Sequence, residues 1–222
     1  MQKQDAEEAV AITRTVLSAI LAVTATRGRP GADLRTAIGD FVAHAERLVQ
    51  YDEAGLPLAH IFELARTNGI TLAQLAHVRS VAAAEPAASL GAMLIKNSLI
   101  NFALATEARI IADTRFAGRN AAEAIKDIMN AGFSAMEEIA ADDMDSATYR
   151  VLVALHAAVT FHLLRTERPL PRILNFRFAA PSSTLVSAYK LYDDAGRADE
   201  LRAENRVVHP SFMQPLGRAL SA

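Results

Sequence analysis

Six histidines, at positions 44, 60, 77, 156, 162 and 209, are the side chains best suited to proton transfer or metal ligation in this sequence. A helical zinc site needs two ligands one turn apart. His156 and His162, the nearest pair, are six residues apart and project in different directions along a helix. The expectation is solvated or interfacial histidines, not ligands. Glu137 with Glu138, and Asp142 with Asp143, have the residue types of a general acid and base. Charge pairs beside a helix end more often serve capping and solvation. The glycines between Arg27 and Gly31 lack the Lys-Ser/Thr and the preceding strand of a phosphate loop. No Gly-x-Ser-x-Gly elbow is present, and Ser98 and Ser134 have no identifiable base nearby in sequence. The residues therefore predict no catalytic group, no metal site, no cofactor and no enzyme.

Composition sets what could position any site. The 222 residues are 51% hydrophobic, rich in Ala and without Trp, which favours closely packed helices. There is no cysteine, so neither disulfides nor thiolate chemistry enter. The net charge is −2, with a mild excess of +3 over residues 168–222. That is far from the basic face that phosphate binding requires, so nucleic acid is not an expected partner. Asp5, Glu7 and Glu8 stand where a signal peptide would be basic and then apolar, which predicts synthesis in the cytoplasm and no leader. The run from Leu90 to Ala112 is the most hydrophobic, yet Lys96, Glu107 and Arg109 interrupt it. It reads as a buried helix, and no membrane is expected.

Helical periodicity and caps divide the chain. A helix is predicted over 6–26, ending at Arg27 to Gly31, and a second over 33–53, with the stripe Leu34, Ile38, Phe41, Ala45 and Leu48. Gly55-Leu56-Pro57 should end it, and a shorter helix should run to Thr67 before the stop Asn68-Gly69. Thr71 and Gln74 form a capping box. Pro86 fits the first turn of a long helix closed by Gly118. A helix over 120–141, weak at Gly132, and another over 147–165 behind an Asp-rich turn complete a bundle predicted to fill residues 1–167. Residues 168–222 then read as a small α/β module. It has a strand near Ile173 to Phe178, a helix capped by Ser182 or Ser183, a short helix over 197–205, and a strand from Leu216. The predicted class is mainly α, a multi-helix bundle followed by a β-α-α-β module. Leu185 and Tyr189, on one side of the first module helix, are expected in its core.

The module carries the successive motifs Ala188-Tyr189-Lys190-Leu191-Tyr192, Arg197-Ala198-Asp199-Glu200-Leu201 and Asn205-Arg206-Val207-Val208-His209-Pro210-Ser211-Phe212. This succession resembles the C-terminal end of the Mu-like phage DNA circularisation (DNA circulation) protein family, tail and baseplate proteins of contractile-tailed phages. The likeness reaches back through the Leu152–Val159 helix, and residues 1–140 are compatible in composition only. Asp193-Asp194 stands where the family often has Gly-Asp, and the family's N-terminal β-rich domain has no counterpart here. The strand-helix-helix-strand order also resembles a lysin motif (LysM), although Ala180 to Thr184 replaces the glycine-aspartate-threonine entry of sugar-binding copies.

The resemblance implies a structural protein of a phage or prophage tail, located in the virion. Its partners would be further copies of itself and neighbouring baseplate or tail-hub proteins. The alternatives are a peptidoglycan- or glycan-binding tail module and a protein that holds phage DNA ends. Tyr192, Arg197, Asn205, His209 and Phe212 are the candidate partner-contact residues.

Overall fold

The computed structural model describes residues 3–24, 27–116, 118–168 and 170–221. It is 74% helical, with nine helices and one two-stranded antiparallel sheet among the described residues. The helices of the bundle are α1 (Lys3–Val23), α2 (Gly28–Gln50), α3 (Gly55–Thr67), α4 (Leu72–Ala84), α5 (Leu90–Asp113), α6 (Arg119–Asp142) and α7 (Ser146–Glu167). The C-terminal module follows as β1 (Ile173–Arg177), α8 (Thr184–Tyr192), α9 (Ala198–Glu204) and β2 (Leu216–Leu220). The mainly helical class and the β-α-α-β order are those the sequence predicts.

Several boundaries differ, each for a local reason. α2 begins at Gly28, with Pro30 in its first turn, and α3 begins at Gly55, with Pro57 in its first turn. Proline lacks the backbone N–H that is unpaired there anyway, so these prolines open helices instead of ending them. Pro86 behaves otherwise. It lies in the extended connection ahead of α5, whose cap is Ser89, with Oγ accepting the Ala92 N–H. α5 ends at Thr114, before Gly118. The Thr71–Gln74 box is present in both directions, and Asn68 ends α3 with Gly69 at φ +80°. Asp145 caps α7 by accepting the N–H groups of Ala147 and Thr148.

By compactness the chain forms two units, Met1–Thr114 with Met129–Val159, and Arg115–Ile128 with Thr160–Ala222. The division therefore falls inside α6 and α7, not between residues 167 and 168. In the first unit α5 is the central helix, packed against α1, α3 and α4. Ala92, Leu99, Ala103, Leu104 and Ile111 are all buried, which accounts for its near-continuous apolar character. In the second unit polar bonds draw the bundle ends into the module. The Arg119 N–H donates to the Pro171 carbonyl, Asn120 Oδ1 accepts the Ile173 N–H, and buried Glu167 lies 3.0 Å from Lys126 Nζ.

Candidate interaction surface

The module core is Phe176, Ala188, Ala198, Leu201, Met213 and Ala219, closed by one sheet in which Ile173 faces Leu220 and Phe176 faces Gly217. Three of the candidate contact residues hold this core together. Asn205 ends α9, and its Oδ1 accepts the Arg218 N–H at 2.7 Å. Its Nδ2 donates to the carbonyls of Arg218 and Leu201 at 2.7 and 2.8 Å. A β-strand backbone is thereby clipped to a helix end by one side chain. The Tyr192 hydroxyl accepts the Leu220 N–H at 3.1 Å, and the Arg197 guanidinium lies 3.8 Å from the Tyr192 ring centroid. Arg197 also forks onto Glu200, at 2.6 and 3.3 Å. Burial, then the Glu200 charge, raises the Tyr192 hydroxyl above its ordinary value, and the Glu200 hydrogen bond raises Arg197 further. Tyr192 and Asn205 thus commit their polar groups to the tie between β2 and the helices.

His209 and Phe212 are placed differently. Both are exposed on the turn before β2, with ring centroids 5.4 Å apart. His209 Nδ1 accepts the Ser211 N–H, and Phe212 is 74% exposed. The same turn fixes the start of α8, because the Pro210 carbonyl accepts both the Thr184 N–H and its hydroxyl.

Leu185 and Tyr189 correct the expectation of a core position: they are 58% and 59% exposed. α8 presents Thr184, Ser187 and Ala188 to the module interior, and all three are buried. Their small size lets α8 sit close to the 209–213 turn and to Ser182, whose Oγ is 2.8 Å from Ser187 Oγ. The bulkier Leu185, Val186 and Tyr189 are left outside. Periodicity alone selects the apolar side as the buried one, so only the run of small residues at 184, 187 and 188 signals the reverse.

Elsewhere, His156 stacks on Phe133, with Nδ1 2.9 Å from Glu137 and Nε2 3.0 Å from Asn130. Asp142 and Asp143 are exposed at the end of α6. Among the described residues no three His, Asp or Glu side chains gather as metal ligands. A groove of about 480 Å³ in the first unit is lined mainly by Leu58, Ile95, Phe102, Val151 and Leu155. No protein-family model matches the chain, and no curated protein matches it.

Proposed function

We propose that this chain is a structural protein of a contractile phage or prophage tail, a baseplate or tail-hub component that works through protein-protein contacts and not through catalysis. The observation that carries the reading is the reversed face of α8. Leu185, Val186 and Tyr189 stand in solvent, while the residues that α8 buries in the module are the smaller Thr184, Ser187 and Ala188. Exposed apolar side chains concentrated on one short helix are the usual mark of a protein-protein contact. The module motifs supply the kind of assembly, through their resemblance to the DNA circularisation protein family. Tyr192, Arg197 and Asn205 support the contact indirectly by fixing the module, and Phe212 is its exposed aromatic candidate.

Light scattering behind a sizing column tests the reading on the full chain, alone and mixed with proteins encoded beside it. A defined complex that is lost on Tyr189→Asp or Phe212→Asp supports it. A chain that ignores those neighbours and is retained on peptidoglycan replaces it with the glycan-binding reading. Affinity for DNA that falls steeply with salt replaces it with the DNA-end reading.

A further inference from the structure

The two outer edges of the module's sheet are treated differently. The ladder pairs Ile173 with Leu220 and Arg177 with Leu216. At its ends the Ser221 N–H donates to the Arg172 carbonyl, and the Phe178 N–H to the Pro215 carbonyl. Backbone groups alternate sides along an antiparallel strand, so residues 174 and 176 also turn theirs toward β2, while 173, 175 and 177 turn theirs away. On β2 the outward groups at the middle of the strand are met inside the module. Asn205 binds both the N–H and the carbonyl of Arg218, and the Tyr192 hydroxyl accepts the Leu220 N–H. On β1 the Ile173 N–H is met by Asn120 Oδ1, in the first turn of α6. Among the described residues the N–H and carbonyl groups of Asn175 and Arg177 have no partner, and both residues are exposed. Such an edge is a template for a further strand.

We infer that this open edge pairs with β1 of a second copy of this chain, antiparallel about a twofold axis at Phe176, joining the two sheets into one. Length selects this occupant. Asn120 already holds the place beside Ile173, so a long added strand cannot continue there. A second β1 has no need to. In antiparallel pairing the closed end of each strand lies beside the far end of the other, beyond Arg177, where that strand has stopped. Hydrogen bonding and charge then select the register, because outward residues must face outward residues. An axis at Asn175 would set Arg177 against the occupied Ile173 N–H. An axis at Arg177 would set the two arginines directly opposite, which is destabilising. With the axis at Phe176, Asn175 of each copy faces Arg177 of the other, and each such pair exchanges two N–H···O=C bonds.

Side chains agree with the same register. Leu174 lies on the same side of β1 as Phe176, yet it is 53% exposed where Phe176 is buried. In the paired sheet it falls opposite Phe178 of the second copy, at a position without hydrogen bonds, where facing side chains approach most closely. Phe178 is itself only partly buried, packed against Phe176 and beneath Lys190. Each copy therefore covers an apolar side chain that its own module leaves in solvent. On the other side of the sheet the Asn175 amide oxygen faces the Arg177 guanidinium of the second copy as an acceptor.

The inference rests on the reading of the chain as a structural protein that works through protein contacts, and the full chain provides its test. Hydrogen exchange of the Asn175 and Arg177 amides should slow at least about tenfold from low to high protein concentration, while the Leu174 and Phe176 amides, already in the ladder, stay constant. Asn175→Pro removes an outward N–H and none of the bonds to β2, so it should keep the β1–β2 ladder and raise the dimer dissociation constant at least about tenfold. The absence of cysteine allows the register to be checked. A mixture of Asn175→Cys and Arg177→Cys chains should link covalently on mild oxidation, because their Cα atoms face each other at about 5.5 Å, and neither variant alone should link. A monomer at high concentration, exchange at Asn175 and Arg177 that ignores concentration, a dimer untouched by Asn175→Pro, or linking no greater in the mixture than in either variant alone overturns the inference. So does protection of these amides that appears only when a neighbouring protein is added, which gives the edge to that protein. A dimer of this kind that ignores all neighbouring proteins refutes only the tail reading. A monomer that joins those neighbours refutes only the edge pairing.

Discussion

Replacing Arg79 should cost stability in proportion to pH. Arg79 Nε lies 3.1 Å from Glu107 Oε1, with 18% of the arginine side chain exposed against 2% of the glutamate. Glu107 Oε2 has no hydrogen-bond partner among the described residues. Burial pushes the carboxyl above its ordinary 4.5, outweighing the pull of Arg79. A folded-state value that is raised means that the folded chain keeps the proton longer than the unfolded chain does. This contribution to stability is full below 4.5 and falls as pH rises through the folded-state value. In Arg79→Met the opposing pull is gone, and the fall continues to higher pH. Keeping a carboxyl protonated costs about 1.4 kcal/mol for each pH unit above its ordinary value, so at pH 7.5 the loss is limited to about 4 kcal/mol. That agrees with the roughly 3–5 kcal/mol lost when one partner of a buried pair is removed. At pH 5 the same limit is below about 1 kcal/mol. Urea unfolding at pH 5.0 and 7.5 measures the difference. Glu107→Gln, which removes the charge, should cost less than about 1.5 kcal/mol and should rescue Arg79→Met at pH 7.5. An Arg79→Met loss that is equal at the two pH values, or that Glu107→Gln does not relieve, would refute the reasoning.

Gly132→Ala should destabilise the first unit by about 1–3 kcal/mol although Ala is the better helix former, because the new Cβ would lie 2.9 Å from both Arg79 Nη1 and Leu104 Cδ2; thermal unfolding followed by circular dichroism reads it. Gly217→Ala puts a Cβ 2.5 Å from Asn205 Oδ1 and 2.6 Å from the Phe176 ring, so hydrogen exchange of the β2 amides should accelerate far more than that of α5 amides. Asn205→Ala should accelerate the same amides by removing three hydrogen bonds, at a cost of about 1–3 kcal/mol. The Asp145 carboxyl is held below its ordinary 3.8 by its hydrogen bonds to Thr148, so its contribution is present above 3.8 and lost as pH falls through the lower folded-state value. Asp145→Ala should therefore lower thermal stability at pH 7 and flatten its acid dependence below pH 4, which a melting series over pH 2–7 measures.

Local chemistry was legible in the sequence. The Thr71–Gln74 box and the Asn68-Gly69 stop each depend on two or three neighbouring residues, whose types suffice to place them, whereas the Asp-rich turn and the pair Ser182 and Ser183 announce caps that the structure assigns to Asp145 and Ser183. The same holds for the stripe of α2 and for the β-α-α-β order of the module. Whether Gly132 weakens α6 or admits Arg79, and whether Asn205 contacts a partner or clips β2, depends on what another element brings to that point. The reversal of α8 is of the same kind: hydrophobicity ranks Leu185 and Tyr189 above Ser187 and Ala188, but the closeness of the 209–213 turn leaves room only for the small residues. The sequence by itself determined that the helices exist, several of their caps and the order of the module, because these follow from interactions within a few residues. Only the tertiary structure decided which face of α8 is buried, which glycines are close contacts and where the units divide, because those depend on distances between residues far apart in the chain.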